Sequence, residues 1–192
     1  MGFKIEFSNR KTNAKEEAQG SDGRLDVSSR VDSRAYYNSR DDGLCFSLFF
    51  NMTLADTGEF LVYWRNASPD KQLVIIGLDV AAFEPVDIKV HFVTGTASAG
   101  TELTPLNLNK SSSKAAPDDS VVMAMEGLTT TPIAGLTTAG VIAYTSIAVA
   151  QSRELIDLGD RVRLGQNDAI AVELEAASAP GFILGTIYGY YE

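Results

Sequence analysis

Chemistry in proteins is carried by a few residue types, and this chain is short of them: it holds one histidine, His91, and one cysteine, Cys45. A Ser-His-Asp or Cys-His nucleophile would have to run through His91, because each needs an imidazole to take the proton from the attacking group. No Gly-x-Ser-x-Gly elbow accompanies it. His91 falls on the polar side of an alternating run, which reads as a surface or hydrogen-bonded histidine. One Cys and one His cannot make a zinc site. Calcium needs only oxygens, and Asp41-Asp42, Asp118-Asp119 and Asp157 with Asp160 could offer them. Neither the EF-hand spacing nor a nonapeptide repeat is present, so these read as solvated turn aspartates. Both glycine-rich phosphate loops are missing. With this many acids, a carboxylate pair poised as acid and base has no specificity. The sequence points to no catalytic residue, no metal and no cofactor, and to a protein that is not an enzyme.

Aromatic residues are the other candidates, since Tyr and Trp give amphipathic contact area at low entropic cost. Tyr63 and Trp64 are adjacent in a strand-like run and must point to opposite faces, and Trp64 reads as core. Tyr188, Tyr190 and Tyr191 at the C-terminus are candidate interface aromatics, with packing as the equal alternative.

The elements that would carry these residues are strands. Phe60 to Trp64 and Leu73 to Val80 flank the polar break Asn66 to Asp70, which reads as strand, loop, strand. The second run is nearly continuous in Val, Ile and Leu, as expected of a central strand covered on both faces. Leu44 to Leu54, Val121 to Met125, Val141 to Ala150, Glu154 to Leu158, Ala169 to Glu175 and Phe182 to Tyr191 read as further strands. Val86 to Thr94 alternates, with Asp87, Lys89 and His91 on a wet face. Gly159 to Asp168 reads as a turn-rich passage, and Gly95 to Asp119 as a long loop of the kind that contacts partners. The Gly-Leu-Thr-Thr echo after Gly127 and Gly135 reads as a flexible loop, not a solenoid. Eight or nine strands without helical periodicity predict an all-β jelly-roll β-sandwich over residues 36–192.

Residues 1–35 read as an extended N-terminal arm. Phe3, Ile5 and Phe7 alternate with polar residues, so a short strand is expected that must add to the body or to another subunit. A marginal helical turn is expected near Asn13 to Gln19. Residues 1–43 carry eight Lys or Arg and eight Asp or Glu, so the net charge of -9 belongs wholly to the remainder. Such a composition suits equally an arm on an acidic surface, its own or a neighbour's, and a solvated disordered tail; Arg10, Arg24, Arg30 and Arg34 are the candidate contacts of the arm. The acidic total argues against a nucleic-acid partner. No apolar run is long enough for a membrane span, and no signal peptide is read, so Cys45 suggests a reducing compartment and a buried thiol. The Asn51, Asn66 and Asn109 glycosylation triplets read as chance.

Three stretches carry a resemblance: Phe60-Leu-Val-Tyr-Trp-Arg-Asn, Leu73-Val-Ile-Ile-Gly-Leu-Asp, and Leu158-Gly-Asp-Arg-Val-Arg-Leu-Gly-Gln-Asn-Asp-Ala-Ile-Ala-Val. With the polar arm and the Ser/Thr/Gly loop, they resemble the jelly-roll decoration or cement proteins of tailed bacteriophages. The likeness is one of pattern over most of residues 36–192. It implies a virion structural protein on the capsid surface, made in the host cytoplasm. The implied partner is the major capsid protein of the same virion, bound by a homo-oligomer expected to be a homotrimer. The alternative is a carbohydrate or host-receptor binding module of a phage fibre or baseplate.

Overall fold

A computed structural model describes residues 6–8, 15–17, 35, 38–54, 59–97, 100–125, 136–176 and 181–192. The chain divides into two compact units, Met1–Ser33 and Arg34–Glu192. In the first, β1 (Glu6–Ser8) pairs antiparallel with β2 (Lys15–Glu17), setting Phe7 opposite Glu16. This corrects two expectations. Lys15 to Glu17 is strand instead of helix, and the arm's strand has a local partner. A single helical turn carries the unfavourable nucleation step, which antiparallel pairing of neighbouring segments avoids. Phe3 and Ile5 lie outside the described residues, as do the first Gly-Leu-Thr-Thr copy and Gly135; the rest of the second copy, Leu136 to Thr138, is not loop but the start of a strand, pairing with Gly95, Thr94 and Val93.

In the second unit a π-helical turn, Asn38–Asp42, ends at Gly43, whose φ of 59° places it in the left-handed region. The strands that follow are β3 (Cys45–Leu54), β4 (Glu59–Asn66), β5 (Leu73–Ala82), β6 (Val86–Gly95), β7 (Thr101–Glu102), β8 (Leu106–Asn107) and β9 (Asp118–Met125). They continue with β10 (Leu136–Ile147), β11 (Ser152–Leu164), β12 (Ala169–Ala176) and β13 (Gly181–Tyr191). One sheet has the order β10-β6-β12-β4-β9-β7, the other β11-β5-β13-β3-β8, and every pairing is antiparallel. The chain is a β-sandwich, as strands at this spacing without helices require.

The inward residues follow the two-residue alternation of each strand. Phe46, Leu48 and Phe50 of β3 join Trp64, Ile75, Leu78, Ile88, Val172 and Ile187 in one core. Burying a side chain of this size stabilises by about 1.5–3 kcal/mol. Trp64 is in that core, and Tyr63 points the other way, as adjacency in a strand demands. Gly185 and Gly189 stand in the inward row of β13. A Cβ on Gly185 would strike the Phe50 ring and crowd the Asp79 carbonyl. One on Gly189 would come within 3.0 Å of the Val74 carbonyl oxygen and 3.2 Å of the Trp64 ring. The glycines therefore let two large rings lie against the backbone of β13.

Three readings need correction. The passage from Gly159 is not a turn region: β11 runs on to Leu164 across a bulge, where Gly159 and Asp160 take φ of 43° and 45°. Left-handed residues there insert extra chain without ending the ladder. The long loop from Gly95 includes β7 and β8, each two residues. The expected wet face of β6 is largely withdrawn from water, with His91 only 2% exposed.

Candidate functional site

Alternation puts Asp87, Lys89 and His91 on the outer face of β6, and Glu173 and Glu175 on that of β12. The ladder sets Glu173 opposite Lys89 and Glu175 opposite Asp87. Lys89 Nζ donates to Glu173 Oε1 at 3.2 Å and to Glu175 Oε2 at 3.0 Å. Burial alone would lower the Lys89 pKa, but the bonds to Glu175 and Glu173 outweigh it and hold the ammonium well above its usual value. His91 Nε2 lies 2.6 Å from Glu173 Oε2, a close contact without the alignment of a full hydrogen bond.

Tyr144, across from Lys89 on β10, is exposed, and its hydroxyl hydrogen-bonds Asp87; the Asp87 charge, first, and that bond raise the phenol's pKa. A polar groove of about 410 Å³ lies beside this cluster, lined by Pro85, Asp87, Ser146, Ile147, Ala148 and Glu175. His91 and Glu173 do not line it, and no serine or cysteine nucleophile is hydrogen-bonded to His91 among the described residues. The cluster neutralises charge within a sheet face.

The outer face of the other sheet mixes apolar side chains with polar ones, among them the Arg153–Asp79 ion pair. A groove of about 400 Å³ there is lined by Ala35, Cys45, Ile76, Leu108, Leu155 and Tyr188. Cys45 is buried, and desolvation pushes its thiol up to about 11, opposed in part by a hydrogen bond with the Phe46 backbone. Leu155 and Leu108, which line the groove, are exposed by 67 and 48%, and Leu106 and Phe49, elsewhere on this face, by 64 and 51%. An apolar patch of this kind on a sheet face marks a contact surface more often than a reactive one.

Of the sequence-derived site residues, Tyr188 lines this groove and is half-buried. Tyr190 and Tyr191 are fully buried, Tyr191 stacking edge-on against Phe46 with ring centroids 5.7 Å apart. Of the arm residues, Phe7 is placed in β1 by its backbone, and Arg10, Arg24, Arg30 and Arg34 lie outside the described residues with Phe3 and Ile5. Among the described residues no three His, Cys, Asp or Glu side chains gather as metal ligands. No described helix is long and apolar enough to cross a membrane.

Sequence reasoning missed Phe49, Leu106, Leu108 and Leu155 as exposed residues. The signal existed for Phe49: in Leu48-Phe49-Phe50 one of two neighbouring apolar residues must face away from the core. For Leu155 nothing distinguished the outward position, because Leu155 and Ile156 are both apolar. No family model, curated protein or solved structure matches this chain.

Proposed function

We propose that this is a non-catalytic virion structural protein that binds the outer surface of a phage capsid as a homo-oligomer and reinforces it. The observation that carries this is the set of exposed apolar residues Phe49, Leu106, Leu108 and Leu155 on one sheet face, two of which, Leu108 and Leu155, line its groove. It sits on a sandwich whose His91 is buried against Glu173. Two further features support the reading. Omitting β7, β8 and β9, the sheets run β11-β5-β13-β3 and β10-β6-β12-β4, the order in which a chain wraps as a jelly roll. The first unit, Met1–Ser33, holds Phe7 and the arm arginines Arg10, Arg24 and Arg30, which would supply a second contact element. Copies gripping a repeating lattice by arm and patch gain avidity, because each link makes the next one intramolecular.

The test is cosedimentation of the full-length protein with purified capsids of the phage that encodes it. Saturable binding is expected, weakened at least tenfold by the double substitution Leu106→Glu, Leu155→Glu, whose positions already face solvent. Protein remaining in the supernatant at all concentrations overturns the reading.

A glycan-binding module is the second reading, favoured by exposed Tyr144 next to the polar groove of Asp87, Ser146 and Glu175. An aromatic face beside carboxylate acceptors is what a sugar ring and its hydroxyls need. Binding on a glycan array that is lost in Tyr144→Ala, with no capsid affinity, would select it.

A further inference from the structure

β3 is ten residues long, and β13 pairs with it from Leu54 back to Cys45. On its other side β8 pairs only at Phe46 and Ser47. Among the described residues, the remainder of that edge, from Leu48 to Leu54, has no strand partner.

The phase of the ladder says which groups are open. Leu44 O accepts from Tyr191 N, so the even-numbered residues of β3 bond to β13. Cys45 O accepts from Leu108 N on the opposite side, so the odd-numbered ones point outward. Phe49, Asn51 and Thr53 therefore each aim one N–H and one C=O at the open edge. All three are exposed.

Open edges are normally guarded by charge, proline, a bulge or shortness. β11, at the far edge of the same sheet, carries Glu154, Asp157, Asp160 and Arg161 and the Gly159-Asp160 bulge. β10, at the edge of the other sheet, has two register breaks. The open part of β3, Leu-Phe-Phe-Asn-Met-Thr-Leu, has no charge and no proline, and its ladder with β13 is unbroken.

We propose that this edge joins a second copy of the same chain, with β3 pairing antiparallel to β3 about a two-fold axis at Asn51. The open stretch is centred on Asn51, and the phase fits: Asn51 faces Asn51 of the second copy, and Phe49 faces Thr53. Every one of these residues points its backbone groups at its opposite, so each pair exchanges both bonds. On the inner side Phe50 comes opposite Met52, covering a methionine that is half-exposed in the single chain. At the axis the two Asn51 amides can hydrogen-bond each other. The arm is the less suited occupant, since its strand β1 already pairs with β2. Two-fold pairing of this kind builds dimers, not the homotrimer expected from the resemblance, and it stands whether or not the shell reading holds.

Light scattering on the full-length protein, with its arm, gives the test. A mass of two copies is expected at micromolar concentration. Asn51→Pro removes an N–H that β13 does not use, and Asn51→Lys sets two charges against each other at the axis. Each should halve the mass while the circular dichroism spectrum is unchanged. Asn51→Cys reports the register: opposed Cα atoms about 5.5 Å apart suit a disulfide, so mild oxidation should give a covalent dimer. Thr53→Cys should not, because its counterpart lies more than about 13 Å away along the strands. A single-copy mass for the unmodified protein overturns the proposal. So does a dimer that survives both Asn51→Lys and Asn51→Pro, or one lost in Phe7→Asp but kept in Asn51→Pro, which would assign the contact to the arm.

Discussion

Glu173 and His91 meet on facing strands with Oε2 and Nε2 2.6 Å apart, and both side chains are withdrawn from solvent. Lys89 holds the other carboxylate oxygen of Glu173 at 3.2 Å. One buried acid therefore hydrogen-bonds a cation and packs against an imidazole. Removing it leaves a void beside His91 and takes a buried acceptor from Lys89, whereas removing exposed Glu175 leaves Lys89 one strong acceptor. Glu173→Ala should destabilise the fold by about 3–5 kcal/mol and Glu175→Ala by less than about 1 kcal/mol, read from urea unfolding. Equal losses would mean that Glu173 does not organise the cluster.

The Cys45 thiol gives a pH dependence whose sign is fixed by burial. Its folded value, raised from 9.0 to about 11, lies above that of the unfolded chain, so the folded state holds the proton more tightly. The resulting stability is fully present below pH 9 and is lost as pH rises from there through about 11. The stability difference between the natural protein and Cys45→Ala should be flat from pH 7 to 8.5 and shrink above 9. In the same range a thiol reagent at pH 8 should label the native protein slowly and the urea-unfolded protein at once.

Gly185 has no space for a methyl group, being enclosed by the Phe50 ring and the Asp79 carbonyl. Gly185→Ala should cost about 1–3 kcal/mol by overpacking. Trimming the ring as well, in Gly185→Ala with Phe50→Leu, should recover part of the loss of the alanine variant relative to Phe50→Leu alone. Additive losses in thermal unfolding would remove the ring from the explanation.

Asn66 is buried and ties three segments together. Its Nδ2 donates to Lys71 O at 2.7 Å and Leu164 O at 2.9 Å, and its Oδ1 accepts from Ser68 N at 2.9 Å. Asn66→Ala leaves these backbone groups unsatisfied and should cost about 2–4 kcal/mol by chemical unfolding. Asn66→Asp should also destabilise, because a carboxylate cannot donate to the two carbonyls.

What the sequence determined is local. Alternation in β6 and β12, the nearly continuous β5 run and the break at Asn66 to Asp70 fixed strands and faces, because side-chain direction in a strand follows from spacing alone. What only the tertiary structure decided is which faces and edges met. Lys89 and Glu173 are far apart in the chain, and their pairing depends on β12 lying beside β6. The continuation of β11 past Gly159 depended on two left-handed residues bulging within a ladder to β5. The open side of β3 exists because β8 covers only two of its residues. Such features are properties of neighbours brought together across the chain, and no local spacing encodes how far one strand outruns the next.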